Sequence, residues 1–174
     1  HTLRVVQYGK RLAELEGANI EIIMAACLLH DISKFDAEDY GVEHGRVSAR
    51  IARPFLERIG YEKETMDNIL YSIAVHVDDK ADFEHPVTIE SKIVSDADNI
   101  DRFGPYRLLL LFNQTEDYGK LIEQASKRLL TLKKYREGGI MGTKSGENLF
   151  NRQLDLQIIF LERLVEDSRL TMEI

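Results

Sequence analysis

The sequence lacks the features that would mark a disulfide-stabilised or membrane-spanning protein. It contains one cysteine, Cys27, so an internal disulfide is excluded. Because Cys27 lies in an apolar stretch, we expect it to be a small buried residue. This cysteine usage fits a reducing compartment, and we expect a cytoplasmic protein. No apolar run approaches the roughly 18 residues that a transmembrane helix needs, so we expect no membrane partner.

Positive charge is also in deficit. The chain has 23 Lys and Arg against 30 Asp and Glu, a formal net charge of −7. This balance argues against duplex nucleic acid as the main partner. It does not exclude a small anionic substrate, because a metal ion or a local lysine can reverse the electrostatic field inside one pocket.

Strand patterns are scarce, whereas helical periodicity is present along nearly the whole chain. With 174 residues, the length favours one domain, in which roughly 70% of the unfolded chain's surface can be buried. The sequence therefore predicts a single all-α domain over 1–174, with seven or eight helices and no sheet. The expected helices lie at 1–16, 19–30, 43–59, 62–76, 88–101, 104–115, 117–136 and 147–168. We interpret the glycine-rich segment 138–146 as a connector or a flap.

Polar groups follow the apolar second helix in the stretch L-L-H-D-I-S-K-F at 28–35. Burying His30 and Asp31 would cost several kcal/mol unless a metal ion or hydrogen bonds satisfied them, and the alternative is simple exposure at a helix end. Neighbouring helical residues point about 100° apart, so the two side chains can share an ion only where the helix ends. Of the other histidines, His1, His44 and His76 fall on or beside predicted helices. The fifth, His85, precedes a proline in a polar loop, where we expect exposure.

A dense acidic cluster, D-A-D-N-I-D at 96–101, lies in the helix predicted at 88–101. Carboxylates this close repel one another unless a cation or water relieves them. On a helix, Asp98 and Asp101 share a face, while Asp96 points elsewhere. Imidazoles combined with carboxylates suit a divalent transition metal (Mn, Fe, Ni, Co or Zn) better than Mg.

Taken together, these motifs resemble the HD-domain phosphohydrolase superfamily, whose members show the pattern H…HD…D. The segment H-T-L-R-V at 1–5 is similar to the family's H-x-x-R-V, and H-D-I-S-K is similar to H-D followed by I-G-K. D-A-D-N-I-D-R-F-G at 96–104 matches D-A-D-x-L-D-x-x-G, with isoleucine in place of leucine. The resemblance covers about 1–112 and implies a metal-site core there, with supporting helices at 113–174. It implies that His1, His30, Asp31 and Asp98, rather than Asp96, are the metal ligands.

Some members add two histidines, giving H…HD…H…H…D, and His44 and His76 have compatible spacing. Members with D-A-D-x-L-D often lack the histidine at the position of His44, so the second metal stays open. His44 and His76 are expected either to bind that metal or to contact substrate phosphate or act as an acid. Lys34 is either a surface lysine or a phosphate-binding residue. Asp101 is expected to hydrogen-bond a ligand histidine, and Arg4 to form a structural ion pair.

The resemblance implies hydrolysis of a phosphoester or phosphoanhydride bond by metal-activated water, in a nucleotide or another small phosphorylated molecule. Asp31 would orient the water or accept its proton, His76 or His44 would protonate the leaving oxygen, and Lys34 would hold the phosphate. Two alternatives remain open: a di-iron oxygenase or lyase that uses His44 and His76, and a non-enzymatic nucleotide-binding regulatory module. An exposed apolar face on the last helix would support a homodimer.

Overall fold

The computed structural model describes residues 1–36, 38–113 and 116–170. Within these ranges the chain forms eight α-helices and two short 3-10 turns, and no strand. The predicted all-α fold is confirmed. The chain divides into two compact units: unit 1 is His1–Asp101 with Met141–Gly146, and unit 2 is Arg102–Ile140 with Glu147–Ile174. The single domain expected from the chain length stays a prediction.

Unit 1 is built from five helices. They are α1 (Thr2–Glu16), α2 (Ile20–Leu29), α3 (His44–Ile59), α4 (Lys63–Val75) and α5 (Ile89–Arg102), with 3-10 turns at Ile32–Phe35 and Gly41–Glu43. Helix α2 packs against α1 and α4, and α3 packs against α4. The apolar positions recur with the helical period and are fully buried in the core of this unit, at Val5, Leu12, Ile23, Ile69, Ile73, Ile93 and Ile100.

Local signals place the helix ends in unit 1. Gly17 and Gly60 end α1 and α3 in the left-handed conformation, with φ of 68° and 90°. The side chain of Asn19 accepts hydrogen bonds from the backbone N–H groups of Glu21 and Ile22 and so caps α2. Helix α3 continues through Pro54.

Unit 2 contains α6 (Tyr106–Phe112), α7 (Tyr118–Gly138) and most of α8 (Lys144–Leu170). Its core includes Phe103, Leu132, Phe150, Leu154 and Leu161. The buried amide of Gln157 donates to the backbone carbonyls of Phe103 and Gly104 and accepts from Arg128.

The largest differences from the predicted helix limits are in α6 and α8, whereas the other helices begin and end within about two residues of their predicted limits. Helix α6 covers less than the expected 104–115, of which 114–115 lie outside the described residues. Helix α8 begins at Lys144 rather than 147, because the Thr143 hydroxyl accepts from the backbone N–H of Gly146 and caps the first turn. No helix in the described parts of the chain is long and apolar enough to cross a bilayer.

Candidate metal centre

The candidate ligands lie at helix ends and on one buried helix face of unit 1. His1 precedes α1, His30 follows α2, His44 opens α3 and His76 follows α4. Asp31 continues from His30 into the 3-10 turn, whereas Asp98 lies within α5. Because these histidines lie at the ends of four different helices, their side chains can point toward one common centre. Residues far apart in the sequence therefore meet here.

The first group comprises the set that the family resemblance implied. The Nε2 atom of His1 lies 3.2 Å from Asp98 Oδ1 and 3.4 Å from Asp31 Oδ2. His30 Nε2 lies 3.3 Å from His1 Nε2 and 3.5 Å from Asp31 Oδ2. Ligand atoms of His1, His30 and Asp98 all lie within 4.8 Å of one another, a spacing that could hold a metal ion. Asp96 is not part of this group.

Hydrogen bonds at Nδ1 orient the two imidazoles of the first group. His30 Nδ1 donates to the backbone carbonyl of Cys27 at 2.8 Å, and His1 Nδ1 lies 2.8 Å from Asp101 Oδ2. Arg4 donates to both oxygens of Asp101, at 2.6 and 3.0 Å. Each contact holds Nδ1 and turns Nε2 toward the carboxylates, which is how outer contacts direct histidine ligands.

A second group lies on the other side of the same carboxylate. His44 Nε2 is 3.2 Å and His76 Nε2 is 3.8 Å from Asp31 Oδ1. Their Nδ1 atoms donate to the backbone carbonyls of Gly41 and Ile73, at 2.6 and 2.7 Å. His30, Asp31 and His76 form a further group whose spacing could hold a metal ion. Asp31 therefore presents Oδ2 to one histidine pair and Oδ1 to the other.

Two buried atoms of this centre, Asp31 Oδ1 and His76 Nε2, have no hydrogen-bond partner within the described residues. Buried polar atoms are almost always paired, so two unpaired atoms that face each other call for an additional group between them. Both are lone-pair donors and cannot satisfy each other. The imidazole and carboxylate donor set fits a divalent transition metal, which would accept both lone pairs.

The protonation states fit the same assignment. Burial lowers the pKa of His76 to about 4 and also lowers that of His30, so both imidazoles are neutral near pH 7. Burial raises the pKa of Asp31, but its contacts with His1 and His44 outweigh this and hold the pKa below its ordinary value. Contacts with Asp31 and Asp98 raise the pKa of His1 to about 10. A cation is thus favoured beside these carboxylates.

A cavity of about 370 Å³ lies beside the centre, next to His44. Its wall contains the turn after Asp31 and the approach to α3, and includes Ser33, Lys34, Asp36, Glu38, Asp39, Tyr40, Gly41 and His44. The Lys34 ammonium donates to Asp31 Oδ2 at 2.7 Å, although its side chain is 55% exposed. Lys34 therefore connects the centre to the cavity.

The sequence did not reveal the role of Asp96. Its buried carboxylate accepts from the backbone N–H groups of Gly142 and Thr143, at 2.7 and 2.9 Å, and from the Thr143 hydroxyl at 2.6 Å. The last part of the glycine-rich segment is therefore held against α5. His85, expected to be exposed, is half-buried and stacks on Tyr71, with ring centroids 4.7 Å apart.

Comparison with known proteins places these features in a family. The HD domain model matches residues 1–102. Ribonuclease Y of Sulfurovum sp. is 30% identical over 105 residues, which cover 60% of this chain and 18% of that protein. The chain thus spans about a fifth of the length of the ribonuclease Y relatives that it matches. YpgQ of Bacillus subtilis, an uncharacterized protein, is 25% identical over 177 residues, covering 96% of this chain and 82% of YpgQ.

Solved structures share the fold. An HD superfamily hydrolase from an uncultured Thermotogales bacterium superposes with a TM-score of 0.71 at 21% identity, covering 97% of this chain and 79% of that one. The crystal structure of Bacillus subtilis YpgQ in complex with ADP gives a TM-score of 0.62 at 21% identity, covering 96% and 87%. The HD domain model matches more than half of this chain, and the matched part contains the His30-Asp31 pair. The chain therefore belongs to the HD-domain family.

Proposed function

We propose that the protein is a metal-dependent hydrolase that cleaves a phosphoester or phosphoanhydride bond in a nucleotide or another small phosphorylated molecule. The observation that carries this proposal is the orientation of Asp31, whose two oxygens face two different pairs of histidines. A carboxylate placed in this way is suited to lie between two cations.

We infer that His1, His30, Asp98 and Asp31 would hold one divalent ion. His44 and His76, on the other side of Asp31, would hold a second together with that carboxylate. When bound, such ions lower the pKa of a water molecule toward 7 and neutralise charge on the phosphate. The chain supplies neutral imidazoles at His30 and His76 and an ionised carboxylate at Asp31, the forms that bind metals. Without metal, His1 is protonated because Asp31 and Asp98 raise its pKa. It would have to release that proton in order to bind an ion.

Side chains of the site also have proposed roles in binding the phosphate, orienting water and donating a proton. Lys34 lines the cavity and reaches the centre, so its ammonium is placed to hold a substrate phosphate. Asp31, ionised at neutral pH, is placed to orient the attacking water. His76 is a poor general acid because its buried imidazole is neutral near pH 7 and keeps its one proton on Nδ1, in the hydrogen bond to the Ile73 carbonyl. His44, whose contact with Asp31 raises its pKa, is the better proton donor in a form that holds only the first ion.

The cavity suggests which leaving group the site takes. Asp36, Glu38 and Asp39 place three carboxylates in its wall, near Tyr40. Additional phosphates on the leaving group would be repelled by these charges, whereas the hydroxyl groups of a sugar could donate to them. A nucleotide is supported by the YpgQ structure, which contains ADP. Of the two bond types we therefore propose that the phosphoester of a nucleoside monophosphate is preferred, because its leaving group carries no further phosphate.

The test combines metal analysis with a hydrolysis screen. Purified protein, stripped and reloaded with Mn, Fe, Co, Ni, Zn or Mg, is assayed without oxygen against phosphomonoesters, nucleotides and phosphodiesters. We expect hydrolysis with a transition metal, and we expect Asp31→Ala to lose both bound metal and activity.

Asp155→Asn is the matched control, because Asp155 forms an exposed ion pair with Arg136 in unit 2 and should be replaceable. Retention of metal and hydrolysis by Asp31→Ala would contradict the proposal. Oxygen consumption by the iron-loaded protein, without phosphoester hydrolysis, would instead indicate an oxygenase. Nucleotide binding without turnover in every metal form would indicate a regulatory module.

A further inference from the structure

The relative placement of His44 and His76 depends on where the start of α3 meets the end of α4. Gly45, the residue after His44, lies directly against this end. A Cβ atom at Gly45 would be 2.6 Å from the backbone oxygen of Ala74 and 3.1 Å from that of Ile73. Contacts of 2.6 Å to a backbone atom are not tolerated, so the two helices approach closely at this point only because residue 45 is glycine.

An ion pair joins the same two segments. The Nη1 atom of Arg46 lies 2.9 Å from both carboxylate oxygens of Asp78. Arg46 follows His44 by two residues and Asp78 follows His76 by two, so the pair joins the two backbone segments that carry these imidazoles. Asp79, at φ 59°, donates its backbone N–H to the carbonyl of Val75 at 3.1 Å, which turns the chain after α4.

This ion pair is partly sheltered from solvent. The side chains of Arg46 and Asp78 are 12% and 20% exposed. Arg46 has further acidic neighbours, with Glu43 at 3.6 Å and Asp82 at 3.8 Å. Sheltered charges are screened by salt much less than exposed ones, so this pair can hold a fixed geometry.

One turn further along α3, Arg50 pairs with Asp82, but these side chains are 60% and 49% exposed. The two pairs link the same two segments. They differ in exposure and in their separation from His44 and His76 along the sequence.

The contacts that orient the first group are separate. His1 is held by Asp101 and His30 by the carbonyl of Cys27. Neither contact involves Gly45, Arg46 or Asp78. A structural change at the junction of α3 and α4 would therefore displace His44 and His76 more than His1 and His30.

We propose that Gly45, Arg46 and Asp78 are positioning residues for the second metal ion. The Arg46–Asp78 pair sets the separation of the His44 and His76 imidazoles, and thereby decides whether the chain holds one ion or two. This inference rests on the proposed function, because it assumes that the centre binds metal ions.

The test measures metal stoichiometry and affinity, not only activity. Metal-free wild type, Arg46→Gln and Asp78→Asn are titrated with Mn or Co, and bound metal is counted by elemental analysis. We expect two ions per wild-type chain. In either variant we expect the first ion to bind as in wild type and the second to bind about 10- to 100-fold more weakly. This is the range known for groups that orient metal ligands, although here the pair would act through the backbone of α3 and the end of α4. Excess metal should restore the second ion.

Arg50→Gln is the matched control and should keep both ions at wild-type affinity. Arg46→Lys retains one charge and can reach one oxygen of Asp78, so its second-ion affinity should fall between wild type and Arg46→Gln. If Arg46→Gln does not fold, Arg46→Lys provides the test of the proposal instead.

The proposal is overturned if Arg46→Gln binds the second ion with wild-type affinity, if it weakens both ions equally, or if Arg50→Gln weakens the second ion as much. A wild-type chain with one ion also overturns it, whereas a wild-type chain that binds no metal contradicts the proposed function itself.

Discussion

Replacing Asp96 by alanine should destabilise the protein substantially, although Asp96 is not an assigned metal ligand. The substitution removes three hydrogen bonds to the segment 142–143 and leaves the buried N–H of Thr143 and the part-buried N–H of Gly142 without an acceptor. A buried polar group left unpaired costs about 1–3 kcal/mol. Burial raises the pKa of Asp96, so the cost of desolvating its charge offsets part of the benefit. We therefore expect a loss of about 3 kcal/mol in the free energy of unfolding.

The loss is measured by urea unfolding of metal-free protein, since bound metal would add stability of its own. For a chain of this size, about 3 kcal/mol corresponds to a fall of roughly 6–12 °C in the melting temperature. Hydrogen exchange should accelerate at the amides of Gly142 and Thr143. Both readouts follow from the same three contacts.

Glu16→Gln is the control for this prediction. Glu16 accepts from the backbone N–H of Ser145 at 2.8 Å, in the same segment but in a half-buried position. The glutamine keeps an acceptor oxygen, so its cost should stay below about 1 kcal/mol. The reasoning is refuted if Asp96→Ala costs no more than Glu16→Gln, or if exchange at Gly142 and Thr143 is unchanged.

Four further predictions concern packing, metal and substrate. Gly146→Ala should cost about 1–3 kcal/mol in urea unfolding, because its Cβ would lie 2.2 Å from Asp96 Oδ2; wild-type stability would contradict this close approach. Asp101→Asn should lower the affinity for the first ion about 10- to 100-fold in a metal titration, because Asp101 orients His1. An unchanged affinity would contradict this role of Asp101. Removing metal with a chelator should lower the melting temperature, and adding metal at about 100 times its Kd should raise the free energy of unfolding by about 2.7 kcal/mol. An unchanged melting temperature would argue against a metal site in the folded protein. A nucleoside monophosphate should show a higher kcat/KM than the triphosphate, and Asp39→Asn should narrow the difference; the reverse preference would refute the charge argument.

The helices could be read from the sequence because the interactions that form them are local. Apolar positions such as Val5 and Leu12 repeat with the helical period and are buried as this pattern predicts. Gly17 and Asn19 act on the backbone within a few residues of themselves, so their effect needs no tertiary information. Motif spacing also indicated the HD family, which the match over 1–102 confirms. The assignment of individual metal ligands stays a prediction.

The sequence by itself therefore determined the all-α class, most helix ends and the set of histidines and aspartates that could bind metal. Only the tertiary structure decided how these groups face one another. That Asp31 directs its two oxygens to different histidine pairs follows from the packing of several helices. The contact between His1 and Asp101 joins residues 100 positions apart, and that between Asp96 and Thr143 joins residues 47 apart. Periodicity reports contacts within a few residues, whereas pairings across such distances are set by the packing of the whole core.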